Sequence, residues 1–86
     1  VDNNINTKSE LVLPDLGDVK RIQVIEWLKQ PGEIVATGEA VVEVETEKTT
    51  FVIEAEQGGE LTQILVPAGS MVKSGDVLAK ITLTTS

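Results

Sequence analysis

The sequence predicts an all-β fold of short strands built from two similar halves. Three observations carry this. Apolar residues alternate with polar ones through Val42, Glu43, Val44 and Glu45 and again through Phe51, Val52, Ile53 and Glu54, the period of a half-buried strand. Turn residues punctuate the chain at Pro31-Gly32, Thr37-Gly38, Gly58-Gly59, Pro67-Ala68-Gly69 and Ser74-Gly75, and no useful length shows a helical period. The chain also repeats itself. Gly32 and Gly69 lie 37 positions apart (69 − 32), as do Gly38 and Gly75 (75 − 38), and each pair brackets an apolar doublet, Ile34-Val35 or Met71-Val72. Two such halves suggest two sheets packed with near-twofold symmetry.

Taken in order, residues 1–9 are polar and Asn-rich and are expected to form a disordered lead, with the folded domain over 10–84. A short strand over 11–13 is stopped by Pro14, and Leu16-Gly17-Asp18 reads as a turn. Residues 19–28 read as a longer strand. The spacing from Val24 to Trp27 breaks alternation and predicts a bulge. Short pairings at 34–35 and 71–72, strands over 41–45, 50–55 and 60–66, and a closing strand over 77–83 complete the set.

The central hairpin has a definite register. With Glu47-Lys48 at its tip, Val44 falls opposite Phe51 and Val42 opposite Ile53 on one face. Glu43 opposite Val52 and Glu45 opposite Thr50 occupy the other. A slip of one residue would mix the sets, so the pattern selects this pairing. Glu47-Lys48 is not the Asn-Gly that a type I′ turn prefers, so a type I turn with local splay is expected. The span 11–83 has its midpoint at 47, which puts Lys48 at the junction of the halves and at one end of the molecule.

Composition narrows the function. The 86 residues suit one small domain; 41% are hydrophobic, but aromatics are 2%, so Val, Ile and Leu must fill the core. The net charge of −7 argues against nucleic acid or an anionic membrane as partner. With no Cys and no His, disulfides, thiolate or imidazole metal sites and Ser-His-Asp or Cys-His nucleophile systems are excluded within this chain. No apolar run has the roughly 18 residues of a membrane span, and no signal-peptide pattern opens the chain. The missing initiator Met fits a piece of a longer chain, and Thr84-Thr85-Ser86 fits the start of a linker. Glu43, Glu45, Glu54 and Glu56 fall on outward positions, where solvated charge is the ordinary state. Neither a calcium loop nor a phosphate loop is present. That leaves Lys48. Glu45 and Glu47 favour its protonated form, so acylation would need an enzyme that supplies an activated acyl donor and removes the proton.

The motif Glu45-Thr46-Glu47-Lys48-Thr49 resembles that of the lipoyl domains of 2-oxo acid dehydrogenase multienzyme complexes, in which an acidic residue precedes the modified lysine. Leu13-Pro14-Asp15-Leu16-Gly17, residues 25–33 and residues 64–69 are also similar to that family, so the resemblance spans about 11–83. It implies a flattened barrel or sandwich of two four-stranded antiparallel sheets (a barrel-sandwich hybrid) with internal quasi-twofold symmetry. It implies no catalysis by the domain itself, as part of a dihydrolipoamide acyltransferase chain. Lys48 would carry lipoate as an amide, with Glu45, Thr46, Glu47 and Thr49 read by the modifying enzyme, a lipoate ligase or lipoyl transferase. Asp18, Val19, Lys20 and Arg21 would be read by a thiamin-dependent 2-oxo acid decarboxylase. The remaining implied partners are an acyltransferase core and dihydrolipoamide dehydrogenase, with the isolated domain monomeric. The implied compartment is the cytoplasm, or the mitochondrial matrix in a eukaryote.

Departures from the family are Thr49-Thr50 after the lysine, the absence of proline at Glu56-Gln57-Gly58, and a compact segment over 17–22. The start at Leu13 to Gly17 leans toward the pyruvate type. A biotinyl carrier resembles this domain too, but flanks its lysine with methionine, and here Met71 is distant. Membrane-fusion adaptor domains split the halves with a helical insert, and glycine-cleavage carriers add helices; this chain has neither.

Overall fold

The computed structural model describes residues 6–84. Eight strands run in order: β1 (Asn6–Val12), β2 (Ile22–Trp27), β3 (Ile34–Val35), β4 (Ala40–Thr46), β5 (Thr50–Glu54), β6 (Gly59–Ile64), β7 (Met71–Val72) and β8 (Val77–Thr84). They form two four-stranded antiparallel sheets, ordered β1-β8-β6-β3 and β5-β4-β2-β7. The all-β two-sheet expectation therefore holds. One boundary is corrected. β1 begins at Asn6, so residues 6–9 belong to a sheet rather than to a disordered lead; residues 1–5 lie outside the described residues. Backbone pairing of Asn6 to Thr84 and Ser9 to Ile81 extends the strand through a sequence with little apolar content.

The repeat is structural. A shift of 37 carries β2 onto β6, β3 onto β7 and β4 onto β8, while β1 and β5 take equivalent edge positions. The hydrogen bonds follow. Gly32 N–H donates to Leu61 O at 2.7 Å and Gly69 N–H to Val24 O at 2.7 Å. Gly38 N–H donates to Ala55 O and Gly75 N–H to Leu13 O, both at 2.8 Å. Glu39 and Asp76 use their carboxylates alike, accepting from Ala36 N and Lys73 N at 2.9 and 2.8 Å. Even the irregularities are paired. The expected bulge falls at Ile25, between Val24 and Glu26, and its counterpart at Thr62, between Leu61 and Gln63. A second pair of bulges leaves Val41 and Leu78 outside their ladders. Each bulge lets two successive residues turn inward, Val41-Val42 and Leu78-Ala79, all four with 0% exposure.

The core lies between the sheets and is aliphatic. Val24, Val42 and Val44 from one sheet and Leu61, Leu78 and Ala79 from the other are wholly buried, with Leu13 and Val35 closing it. Trp27 sits half-buried against this core, and its indole N–H donates to Val66 O at 2.8 Å, tying β2 to the turn after β6. Gly59 is required by close approach: a Cβ there would lie 2.4 Å from Thr82 O.

If the halves are equivalent, equivalent turns should respond equally. Gly38 and Gly75 sit at φ of +83° and +93° with open space around them, so an added methyl clashes with nothing beyond its own backbone. Gly38→Ala and Gly75→Ala should each cost about 1–2 kcal/mol, read by urea unfolding. A loss at one position alone would show that the turns are not equivalent.

Candidate functional site

The β4–β5 hairpin ends the second sheet, and its register is the one the alternation predicts: Val42 opposite Ile53, Glu43 opposite Val52, Val44 opposite Phe51 and Glu45 opposite Thr50. Val42, Val44 and Ile53 are buried and Phe51 packs half-buried beside them, so the apolar set faces the core. Thr46 continues that inward face with 7% exposure and is the buried polar residue of the domain's described core. Glu47 and Lys48 form the bend beyond it, and both are exposed.

The expected simple turn is closed instead by a side chain. No residue other than glycine has positive φ among the described residues, which rules out a type I′ tip. Thr46 Oγ1 accepts from Lys48 N at 3.1 Å and from Thr49 N at 3.0 Å, and donates to Thr49 O at 2.9 Å. Thr46 N–H also donates to Thr49 O, at 2.8 Å. A hydroxyl has one proton and two lone pairs, so this one is fully used. From the sequence, Thr46 is expected only as a residue read by a modifying enzyme. A Thr two and three positions before the N–H groups of a bend is the signal that could have identified this second role.

The segment before β2 folds against this tip. Residues 19–21 are loop rather than strand, because β2 starts only at Ile22. Their main-chain groups are committed elsewhere. Glu47 Oε2 accepts from Lys20 N at 2.8 Å and Oε1 from Arg21 N at 3.2 Å. Lys48 Nζ donates to Asp18 O. Upstream, Asp15 Oδ1 accepts from Gly17 N at 2.9 Å, and Val19 N–H donates to Gly17 O at 3.0 Å while its side chain packs against the core. Glu47 and Lys48 thus reach one loop with opposite polarity: the carboxylate takes N–H groups and the ammonium takes a carbonyl. Glu47 was expected to act on Lys48 by charge; the charge of Lys48 does act on its carboxyl, but the oxygens accept from Lys20 N and Arg21 N.

The remaining expected residues fall nearby. Glu45 is exposed on the outer face, across from Gln23 and Thr50. Thr49 is exposed and contributes its carbonyl to Thr46. The side chains of Lys20 and Arg21 are exposed and carry none of the loop contacts above, all of which are main-chain. With Thr46 turned inward and Glu47 turned to the N–H groups of the loop, Lys48 stays exposed while its Nζ donates to the Asp18 carbonyl.

Glu47 gives the site a pH dependence. Partial desolvation opposes its ionisation, but the N–H groups of Lys20, of Glu47 itself and of Arg21, with the charge of Lys48, outweigh that and hold its carboxyl below the ordinary 4.5. A lowered folded pKa means that the clamp stabilises fully above pH 4.5 and is lost as pH falls through the folded value. The Lys20 and Arg21 amide resonances should therefore titrate together with a midpoint under 4.5, and Glu47→Gln should abolish that step. A midpoint at or above the ordinary value would contradict the clamp.

Known proteins share this fold. The family model described as biotin-requiring enzyme (biotin/lipoyl) matches residues 9–81. The dihydrolipoyllysine-residue succinyltransferase component of the Bacillus subtilis 2-oxoglutarate dehydrogenase complex is 34% identical over 85% of this chain and 18% of its own length. Other similar proteins mostly carry the same succinyltransferase name, and acetyltransferase components of pyruvate dehydrogenase complexes also match. The chain thus spans about a fifth of the curated relatives it matches. The solution structure of the lipoyl domain of the Azotobacter vinelandii 2-oxoglutarate dehydrogenase complex superposes with a TM-score of 0.64 at 33% identity, covering 92% of this chain and 96% of that one. Kluyveromyces lactis urea carboxylase superposes with a TM-score of 0.74 at 25% identity, covering 93% of this chain and 7% of that one. On the match over residues 9–81 and the two-sheet fold beneath it, the chain belongs to the biotinyl/lipoyl domain family and is of the lipoyl type.

Proposed function

We propose that Lys48 is the attachment point of lipoate, held as an amide on Nζ, and that the domain carries acyl groups and reducing equivalents between the active sites of a 2-oxo acid dehydrogenase complex. The observation that carries this is the presentation of one exposed amine at the tip of a hairpin whose neighbours are turned away from it. Bound there, the dithiolane supplies a disulfide that accepts an acyl group together with two electrons. The chain itself contributes position rather than catalysis. Thr46 fixes the bend, Glu47 holds the loop over residues 18–21, and Lys48 supplies the nucleophile once a ligase or transferase has removed its proton. Glu45, Thr46, Glu47 and Thr49 are the proposed features for that enzyme. Modification takes the charge from −7 to −8.

The domain is proposed to be part of a longer dihydrolipoamide acyltransferase. Its partners would be a thiamin-dependent decarboxylase, which reads the loop of Asp18, Val19, Lys20 and Arg21, the acyltransferase core and dihydrolipoamide dehydrogenase. The setting is cytoplasmic, or mitochondrial in a eukaryote. Tethering keeps the intermediate at an effective concentration on the order of mM without free diffusion. For the substrate, the names of the similar curated proteins favour 2-oxoglutarate. The lean toward pyruvate drawn from Leu13 to Gly17 has no support in them. A biotinyl role is not favoured, since Glu47 and Thr49, not methionine, flank the lysine.

Incubation with lipoate ligase, lipoate and ATP should add one lipoyl mass, located at Lys48 by peptide mapping, and Lys48→Ala should fold and take up nothing. Shifting the amine one position, with Lys48→Thr combined with Thr49→Lys, should slow modification by about 100-fold or more, because the enzyme must place the amine as well as read its neighbours. Uptake by Lys48→Ala, preference for biotin, or unchanged labelling of the shifted variant would overturn the assignment.

A further inference from the structure

Glu47 and Lys48 both reach the loop before β2, Glu47 at the N–H groups of Lys20 and Arg21 and Lys48 at the carbonyl of Asp18. The ammonium donates to the main-chain carbonyl of Asp18. That carbonyl is held on both sides. Before it, Gly17 adopts φ +91° and its N–H is capped by Asp15 at 2.9 Å. After it, Val19 is packed on the core, and the Lys20 and Arg21 N–H groups are held by Glu47 at 2.8 and 3.2 Å. A main-chain oxygen so fixed is a preformed acceptor pointing at the lysine amine.

The chemistry of that contact changes little on acylation. An ammonium has three N–H donors; a secondary amide keeps one. Asp18 O bears no formal charge, so it loses no ion pair when the positive charge goes, and the remaining N–H can take the place of the donor seen here. The amide is planar with its N–H opposite its C=O. With the N–H aimed at Asp18, the new carbonyl faces away from the loop, and the direction in which the acyl chain leaves is set.

We propose that the Asp18 carbonyl anchors the amide N–H of acylated Lys48, with Glu47 as the positioning residue that holds the loop in place. The arm is then fixed at its root, and swinging is confined to the bonds beyond the amide. This rests on Lys48 being the acylated residue, but the test need not. Nε-acetyl-lysine carrying 15N at Nζ can be installed at position 48 by codon suppression, with no modifying enzyme. Failure of the carrier reading would appear only in the ligase experiment, and failure of the anchor only here.

The measurement is hydrogen exchange of that Nζ–H. It should be slowed about tenfold against the same group in a free acetyl-lysine amide, the factor an ordinary net hydrogen bond gives, with a nuclear Overhauser contact to Asp18 or Val19. Glu47→Ala should return the exchange to the free rate while the strand amides of β2 and β4 stay protected. Exchange at the free rate in the unsubstituted domain would overturn the anchor. So would slow exchange that persists in Glu47→Ala, since the loop would then hold without its clamp. Should Glu47→Ala fail to fold, the rate in the unsubstituted domain decides alone.

Discussion

One buried hydroxyl sets the working end of this domain. The β4–β5 hairpin must turn without glycine or asparagine, and no residue there takes positive φ. Thr46 solves this by accepting from Lys48 N and Thr49 N and donating to Thr49 O. A side chain thus takes over the closing role of a main-chain carbonyl. The bend it fixes brings both Glu47 and Lys48 to the loop before β2, the carboxylate onto its N–H groups and the ammonium onto the Asp18 carbonyl, with Lys48 still exposed. Everything proposed for Lys48 follows from that arrangement.

The remainder of the chain is a stiff support. Two halves related by a shift of 37 repeat not only strands but turn hydrogen bonds and bulges. Such regularity suits a small domain, whose modest core leaves little stability to spare. The site lies where the repeat is broken. Among the described residues the β4–β5 tip has no counterpart turn; its place in the other half is taken by the β1–β8 pairing of Asn6 with Thr84. A duplicated scaffold therefore offers one lysine tip.

Much of this was legible in the sequence, for physical reasons. The alternation at Val42, Val44, Phe51 and Ile53 fixed the hairpin register, because a slip would expose the core face. The broken spacing between Val24 and Trp27 located the bulge at Ile25. What stayed hidden depended on distant partners. β1 reaches back to Asn6 because β8 offers it a ladder, not because its residues favour a strand. Residues 19–21 look like strand, yet the N–H groups of Lys20 and Arg21 are drawn off by Glu47, 27 and 26 positions away, and that of Val19 by Gly17 O. The bulges at Val41 and Leu78 were readable in principle, since two adjacent apolar residues cannot both face inward from a regular strand.

The central claim is that the Thr46 hydroxyl holds the lysine tip, and 15N relaxation at Glu47, Lys48 and Thr49 tests it most directly. In Thr46→Val, which keeps the shape and removes the hydroxyl, order parameters there should fall from about 0.85 to under about 0.6, with β2 and β4 unchanged. In Thr46→Ser they should stay high. A Val variant whose tip remains as ordered as the parent would contradict the account.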